Sequence, residues 1–285
     1  MKKIIIIVLI TAAGSLHVSA QQFVHEFSVY GGGGLSSLLY QISAGDKNIG
    51  MGGNFGLGYT INRSVERVTS TETIFRGYWG IYTGIGLSIY NTKANLNTDK
   101  PFVTKGLTDS ENERFEFHSS FSKYTELQSA MFVNIPVMAQ YQSRLFYVMG
   151  GLKFAIPVTS KYSSKDVTLT NEAYYPLYKN WAKTQEFAGC GRFKKDFDGS
   201  LELGLSVLLS LEGGMKFRLA DKLSLFTGVY FDYGLNNSFK GSPEGFIKYD
   251  PENPSKFSAN SVLSLDAEKV RIMSVGLKLR LTLEK

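Results

Sequence analysis

Cysteine is nearly missing from this chain: Cys190 is the only one among 285 residues. No internal disulfide can form, so no cross-linked framework supports the fold. The thiol reads as a free group in a loop, with a mixed disulfide to a partner as the sharper alternative. Histidine is scarce too, and beyond residue 20 only His25 and His118 remain. Metal sites built from clustered His and Cys are excluded in their usual forms, and no cofactor is expected. Past residue 20 there is no uncharged apolar run near 18 residues, so no membrane helix is expected. Charge of one sign is nowhere concentrated: 31 Lys and Arg and 25 Asp and Glu are interspersed. Without a basic stripe, nucleic acid is not an expected partner.

The N-terminus reads as an export signal, Met1 to Ala20. Lys2 and Lys3 supply its charge, Ile4 to Ile10 its apolar run, and Val18-Ser19-Ala20 a small-residue cleavage site. Residues 21–285 then form one domain. What the chain does have is glycine (29), tyrosine (16) and phenylalanine (20), a balance that suits membrane strands and interface belts.

The stretch Leu201 to Leu219 carries the strongest pattern. Alternate positions from Leu201 are almost all large and apolar, and those between include Glu202, Gly204, Ser206, Ser210, Glu212, Gly214, Lys216 and Arg218. Side chains on a strand alternate between faces, whereas a helix would scatter these leucines around its axis. The same alternation marks eight segments, near 26–38, 50–61, 76–90, 122–142, 145–162, 201–219, 222–236 and 268–283. An even count of long alternating strands predicts an all-β fold, an eight-stranded antiparallel up-and-down transmembrane β-barrel. Pro136 predicts a bulge or bend in the fourth.

The connections differ in length. Ser143-Arg144 and Ala220-Asp221 are tight turns, whereas 93–121, 163–200 and 239–267 read as long polar loops. Short periplasmic turns and long extracellular loops place both termini in the periplasm and the chain in the outer membrane, with membrane lipid as its first partner. The 62–75 link is longer than this rule expects. The glycine run Gly31–Gly34 lacks the following Lys-Ser/Thr of a phosphate loop; it reads as a place where the strand bends or a neighbouring side chain crosses the backbone.

Lipid requires the oily face outside, which encloses Lys153, Glu212, Lys216, Arg218, Asp232, Lys278 and Arg280. Charges persist in such an interior only when paired, so an ion-pair network that plugs the lumen is expected. A narrow gated ion path is the functional alternative. In the 163–200 loop, Tyr174, Tyr175, Tyr178 and Trp181 stand out as a candidate ligand-binding surface.

The segment Phe132-Val133-Asn134-Ile135-Pro136-Val137 resembles the aromatic-x-x-Ile-Pro-hydrophobic signature of small outer-membrane β-barrel domains of Gram-negative bacteria, the OmpA-like and PorT-like type. Ala220-Asp221-Lys222-Leu223-Ser224-Leu225 and Tyr233-Gly234-Leu235 are similar to their penultimate hairpin. The resemblance implies insertion by the outer-membrane assembly machinery and fixes no activity. A non-enzymatic structural or surface-recognition role is therefore the leading expectation, without catalytic residues. An accessory barrel of a secretion system, with a surface or periplasmic protein partner, is a second. The one enzyme-like arrangement is His118-Ser119-Ser120: His118 and Ser120 share a strand face, with Glu113 or Glu116 to orient the histidine. It is similar to the His-x-Ser of outer-membrane lipid A deacylases.

Overall fold

The computed structural model describes residues 23–42, 45–68, 73–96, 100–121, 123–242, 245–266 and 269–285; the export signal lies outside the described residues. Strands β1 (Phe23–Leu39), β2 (Gly45–Val68) and β3 (Thr73–Leu96) come first. A hairpin of β4 (Phe102–Thr108) and β5 (Arg114–Phe121) precedes β6 (Tyr124–Gln142) and β7 (Phe146–Tyr175). Then follow β8 (Asn180–Ala182), β9 (Gly191–Ser200), β10 (Ser206–Ala220) and β11 (Leu223–Gly234). The last connection holds the short β12 (Ile247–Lys248) and β13 (Ser258–Ala259) and one helical turn, α1 (Val262–Asp266), before β14 (Arg271–Glu284).

Eight of these strands form a closed antiparallel ring in the order β10-β11-β14-β1-β2-β3-β6-β7, and β7 pairs back onto β10. Closure leaves no sheet edge in the hydrocarbon, where an unpaired backbone group would cost several kcal/mol. The outward positions are large, apolar and unpacked, as at Met51 (74% exposed), Leu277 (69%) and Ile81 (64%). Along β6 this band runs from Met131 to Tyr141, about 25 Å at the usual strand tilt and close to the expected height of such a belt. At its turn end lies an aromatic girdle, in which Tyr141 packs on Trp79 (5.1 Å between ring centroids) and Phe146 (6.2 Å).

Inward positions are filled. The ring of Tyr82 lies over Gly58, where a Cβ would sit 2.5 Å from a ring carbon, and the Tyr147 hydroxyl reaches over Gly228, 2.7 Å from the place of a Cβ. In the run Gly31–Gly34, Gly32 is where the Lys278 stem crosses the backbone, 3.3 Å from the place of a Cβ, while Gly31 faces open space. Removing the Cβ lets eight strands enclose large rings in a narrow lumen.

Several boundaries differ from the sequence pattern. The sixth strand starts at Ser206, not Leu201. The Leu201 amide bonds to the Ser160 carbonyl, Leu203 bridges to Phe239, and both leucines turn into the barrel mouth, 5% and 8% exposed. Pro136 sits in unshifted register opposite Lys153; the bulge lies at Met131/Phe132, where β7 inserts a residue beside Pro157. The 62–75 link is an extension of the β2–β3 hairpin, paired through Val68 and Thr73. Most of the 93–121 and 163–200 loops are strands. β7 runs on beyond the membrane band, pairing with β5 on one side and β9 on the other. This upper sheet packs Phe115, Phe117, Val167 and Leu169 against Phe246 and Phe257 of the connection between β11 and β14 in a second core. Its alternation (Val167, Leu169, Asn171, Ala173) is interrupted by polar residues, so it read as loop.

Candidate functional site

The four adjacent ring strands β7, β10, β11 and β14 bring five charged side chains together in the lumen. Lys153 Nζ lies 2.7 and 2.6 Å from the two carboxylate oxygens of Asp232, which also accepts from Ser210 Oγ at 2.6 Å. Lys278 Nζ donates to Glu212 at 2.7 Å, and Tyr147 donates its hydroxyl to the same carboxylate at 3.0 Å. Arg280 stands 3.8 Å from Glu212 and donates to Gln140 at 3.1 Å. All five charges are buried. Lower down, Lys216 donates to Gln142 (3.1 Å), which donates to Glu26 (2.9 Å).

Cations here outnumber carboxylates, and aromatic faces take up the difference. The Arg280 guanidinium lies 4.6 Å from the ring centre of Phe226, 5.0 Å from Tyr147 and 5.2 Å from Tyr82. Lys278 sits 4.3 Å over Tyr30. A desolvated cation over a ring face gains about 2 kcal/mol. Arg218 is not part of this group: at the turn end it is solvent-exposed and donates to the Asp221 carbonyl at 3.0 Å. Glu26 was missed by the sequence reading, although it shares the parity of Ser28 and Tyr30 on the inward face.

The mouth is closed from above by the connection between β11 and β14. Its residues Leu263 and Val270 are buried with Leu201 and Leu203, and Val262 is buried in the core of the upper sheet. One carboxylate fastens it. Glu126, above the apolar band on β6, is fully buried and accepts from Ser261 Oγ (2.5 Å), Gln128 Nε2 (2.8 Å), the Val262 amide (2.9 Å) and Tyr124 (3.0 Å). Among the described residues no cation pairs with it. Burial raises its carboxyl above the ordinary range, against the lowering effect of the four donors. No motif flagged Glu126; its parity with Gln128 and Ala130 was the available signal.

On the upper sheet the four candidate aromatics divide. Tyr174 and Trp181 pack together on the solvent face, 4.8 Å apart, with Lys183 5.6 Å over the indole. Tyr175 points the other way, stacked on Phe115 at 5.5 Å with its hydroxyl on Asp109. Tyr178 lies on the exposed turn and donates to Glu113. His118 meets Trp181 edge-on at 4.8 Å and Glu116 at 3.7 Å. Among the described residues no hydrogen bond joins His118 to Ser120, nor does any group of His, Cys, Asp and Glu form a metal-ligating cluster.

Cys190 is buried, and burial raises its thiol above the ordinary range. Since the thiolate is the reactive form, maleimide should fail to label the folded chain and label it fully in denaturant. Rapid labelling of the folded protein would contradict this packing.

A closed ring of eight antiparallel strands, greasy outside, ionic inside and capped at the long-loop end, defines an outer-membrane β-barrel. The outer membrane protein beta-barrel domain matches residues 19–240, and the chain belongs to that family. No curated protein matches the chain. Among solved structures it is similar to the attachment invasion locus protein Ail of Yersinia pestis, at 8% identity and a TM-score of 0.27, covering 91% of this chain and 97% of that one. It is also similar to a major outer membrane protein of Thermus thermophilus, at 12% identity and a TM-score of 0.28, covering 92% and 99%. The outer membrane protease OmpT of Escherichia coli is a third, at 11% identity and a TM-score of 0.30, covering 95% and 100%.

Proposed function

We propose that this outer-membrane barrel is non-enzymatic and does not conduct, and that it works at the cell surface through its upper sheet. The observation that carries the reading is closure at two levels: a paired ionic layer within the membrane and a buried, fastened cap above it. The barrel then serves as a rigid mount. The upper sheet keeps one face for its core and presents the other, with Tyr174, Trp181 and Lys183, to the medium. Aromatic faces flanked by charged groups suit recognition of a surface partner or glycan. A hydrolase reading loses support because, among the described residues, no hydrogen bond joins His118 to Ser120, and the imidazole instead meets the Trp181 ring edge-on.

The full chain in planar bilayers is expected to give no steady conductance, and a stable ohmic current would overturn the sealed lumen. Cells producing His118→Ala or the unaltered protein are expected to have identical lipid A. A difference that depends on His118 would restore the enzyme reading.

A further inference from the structure

At the top of the apolar band, the outward faces of β3, β6 and β7 turn polar together. Asn91, Ser129 and Lys161 lie in one register row, and Lys93, Leu127 and Ser163 in the next row up. These residues line an open cleft of about 610 Å³ in the outer wall, with Asp198 and Ser200 of β9 at its side. The first row is about 5 Å above the last greasy row and the second about 10 Å, which is headgroup depth. Leu127 stands in the second row, 56% exposed, between the two lysines.

Two other cations near this end of the barrel are already engaged. Arg271 donates to Tyr233 at 2.9 Å, and Lys47 donates to the Tyr40 carbonyl and lies over the Tyr40 ring. Lys93 and Lys161 make no ion pair, side-chain hydrogen bond or ring contact among the described residues. They flank β6 diagonally, and their long stems let both ammonium groups converge on one anion above Ser129. The Asn91 side chain is held by its bond to the Met51 carbonyl (2.6 Å), which fixes the floor of the cleft.

We propose that this cleft binds the phosphate-bearing headgroup of an outer-leaflet lipid, with Lys93 and Lys161 on the phosphate and Leu127 against the lipid's apolar part. A soluble anion would have no use for a site that opens onto hydrocarbon below and carries an exposed leucine between its cations. Asp198 at the rim opposes the anion and weakens the site.

The test is native mass spectrometry of the full chain in detergent, titrated with a phosphorylated lipid A, with its dephosphorylated form and with inorganic phosphate. One phosphorylated lipid should bind per chain, more weakly as salt rises. Lys93→Gln with Lys161→Gln should weaken it about 30-fold, and Asp198→Asn should strengthen it. Both lysines are exposed, so the double variant keeps its fold, verified by unchanged heat-modifiable gel mobility. Equal binding by the double variant, or equal binding of the dephosphorylated lipid, would overturn the proposal. Inorganic phosphate binding as tightly as the lipid would also overturn it, in favour of a soluble anion. None of these outcomes depends on whether the lumen conducts.

Discussion

Exchanging Asp232 for Asn should cost this barrel about 3–5 kcal/mol, among the largest losses expected from any single change in its lumen. Asn keeps the volume, so the loss measures charge alone. Lys153 finds both of its short contacts on the Asp232 carboxylate, and its side chain is only 8% exposed. Removing the anion leaves an ammonium group with no water and no counter-charge, while Ser210 exchanges a charged acceptor for a neutral one. The pair itself is a different matter. Lys153→Met with Asp232→Leu removes both charges at similar volume, and such replacements are often neutral or stabilising. The double variant should therefore recover most of what the single one loses. Urea unfolding in lipid vesicles, followed by gel mobility, checks both values. A single variant within about 1 kcal/mol of the unaltered chain would mean that Lys153 is hydrated, and the lumen not closed.

The second large effect concerns the cap. Glu126 is a carboxyl whose pKa rises on burial, so the folded, capped state binds its proton more tightly than the open state does. Its contribution is therefore full in acid, below the ordinary glutamate range, and is lost as pH rises through the raised value. Tyr124 and Tyr40 are the titratable neighbours; burial raises both, with Glu126 adding to the rise. Neither supplies a positive charge to reverse the sign. Hydrogen exchange at the Val262 and Leu263 amides should be slowest in acid, after correction for intrinsic rates, and should speed up toward alkaline pH. Glu126→Gln holds the neutral form and should flatten that dependence. Glu126→Ala strands the Ser261 hydroxyl and the Val262 amide, about 1–3 kcal/mol, and should open the cap roughly tenfold to a hundredfold more often at every pH. A cap that loosened in acid instead would mean that Glu126 is held as the anion.

Much of this architecture is legible in the residue alternation, because parity in a membrane strand is enforced by solvents of opposite character on its two faces. That is why Leu209, Leu277 and Ile81 could be placed outside and Lys153, Glu212, Asp232, Lys278 and Arg280 inside. Parity carries no depth, however. Arg218 and Arg280 have the same pattern, yet one ends in solvent beside Asp221 and the other among three rings. Parity also fails where the chain leaves the sheet. Leu201 and Leu203 continue the phase of Leu205 but turn inward, since the backbone there crosses the mouth. The upper sheet was hidden because its core is shared with the 245–262 segment, a contact distant in sequence. Glu126 was hidden for the same reason: its partners Ser261 and Val262 lie far along the chain, in the connection between β11 and β14.

The most direct measurement is the accessibility of spin labels on single cysteines in a Cys190→Ala background, reconstituted in lipid. Labels at Leu209 and Leu277 should relax strongly with oxygen and weakly with a water-soluble nickel chelate, as lipid-facing sites do. If those two positions favoured the nickel chelate, the greasy side would be lining an aqueous cavity, and the sealed membrane barrel described above would be wrong.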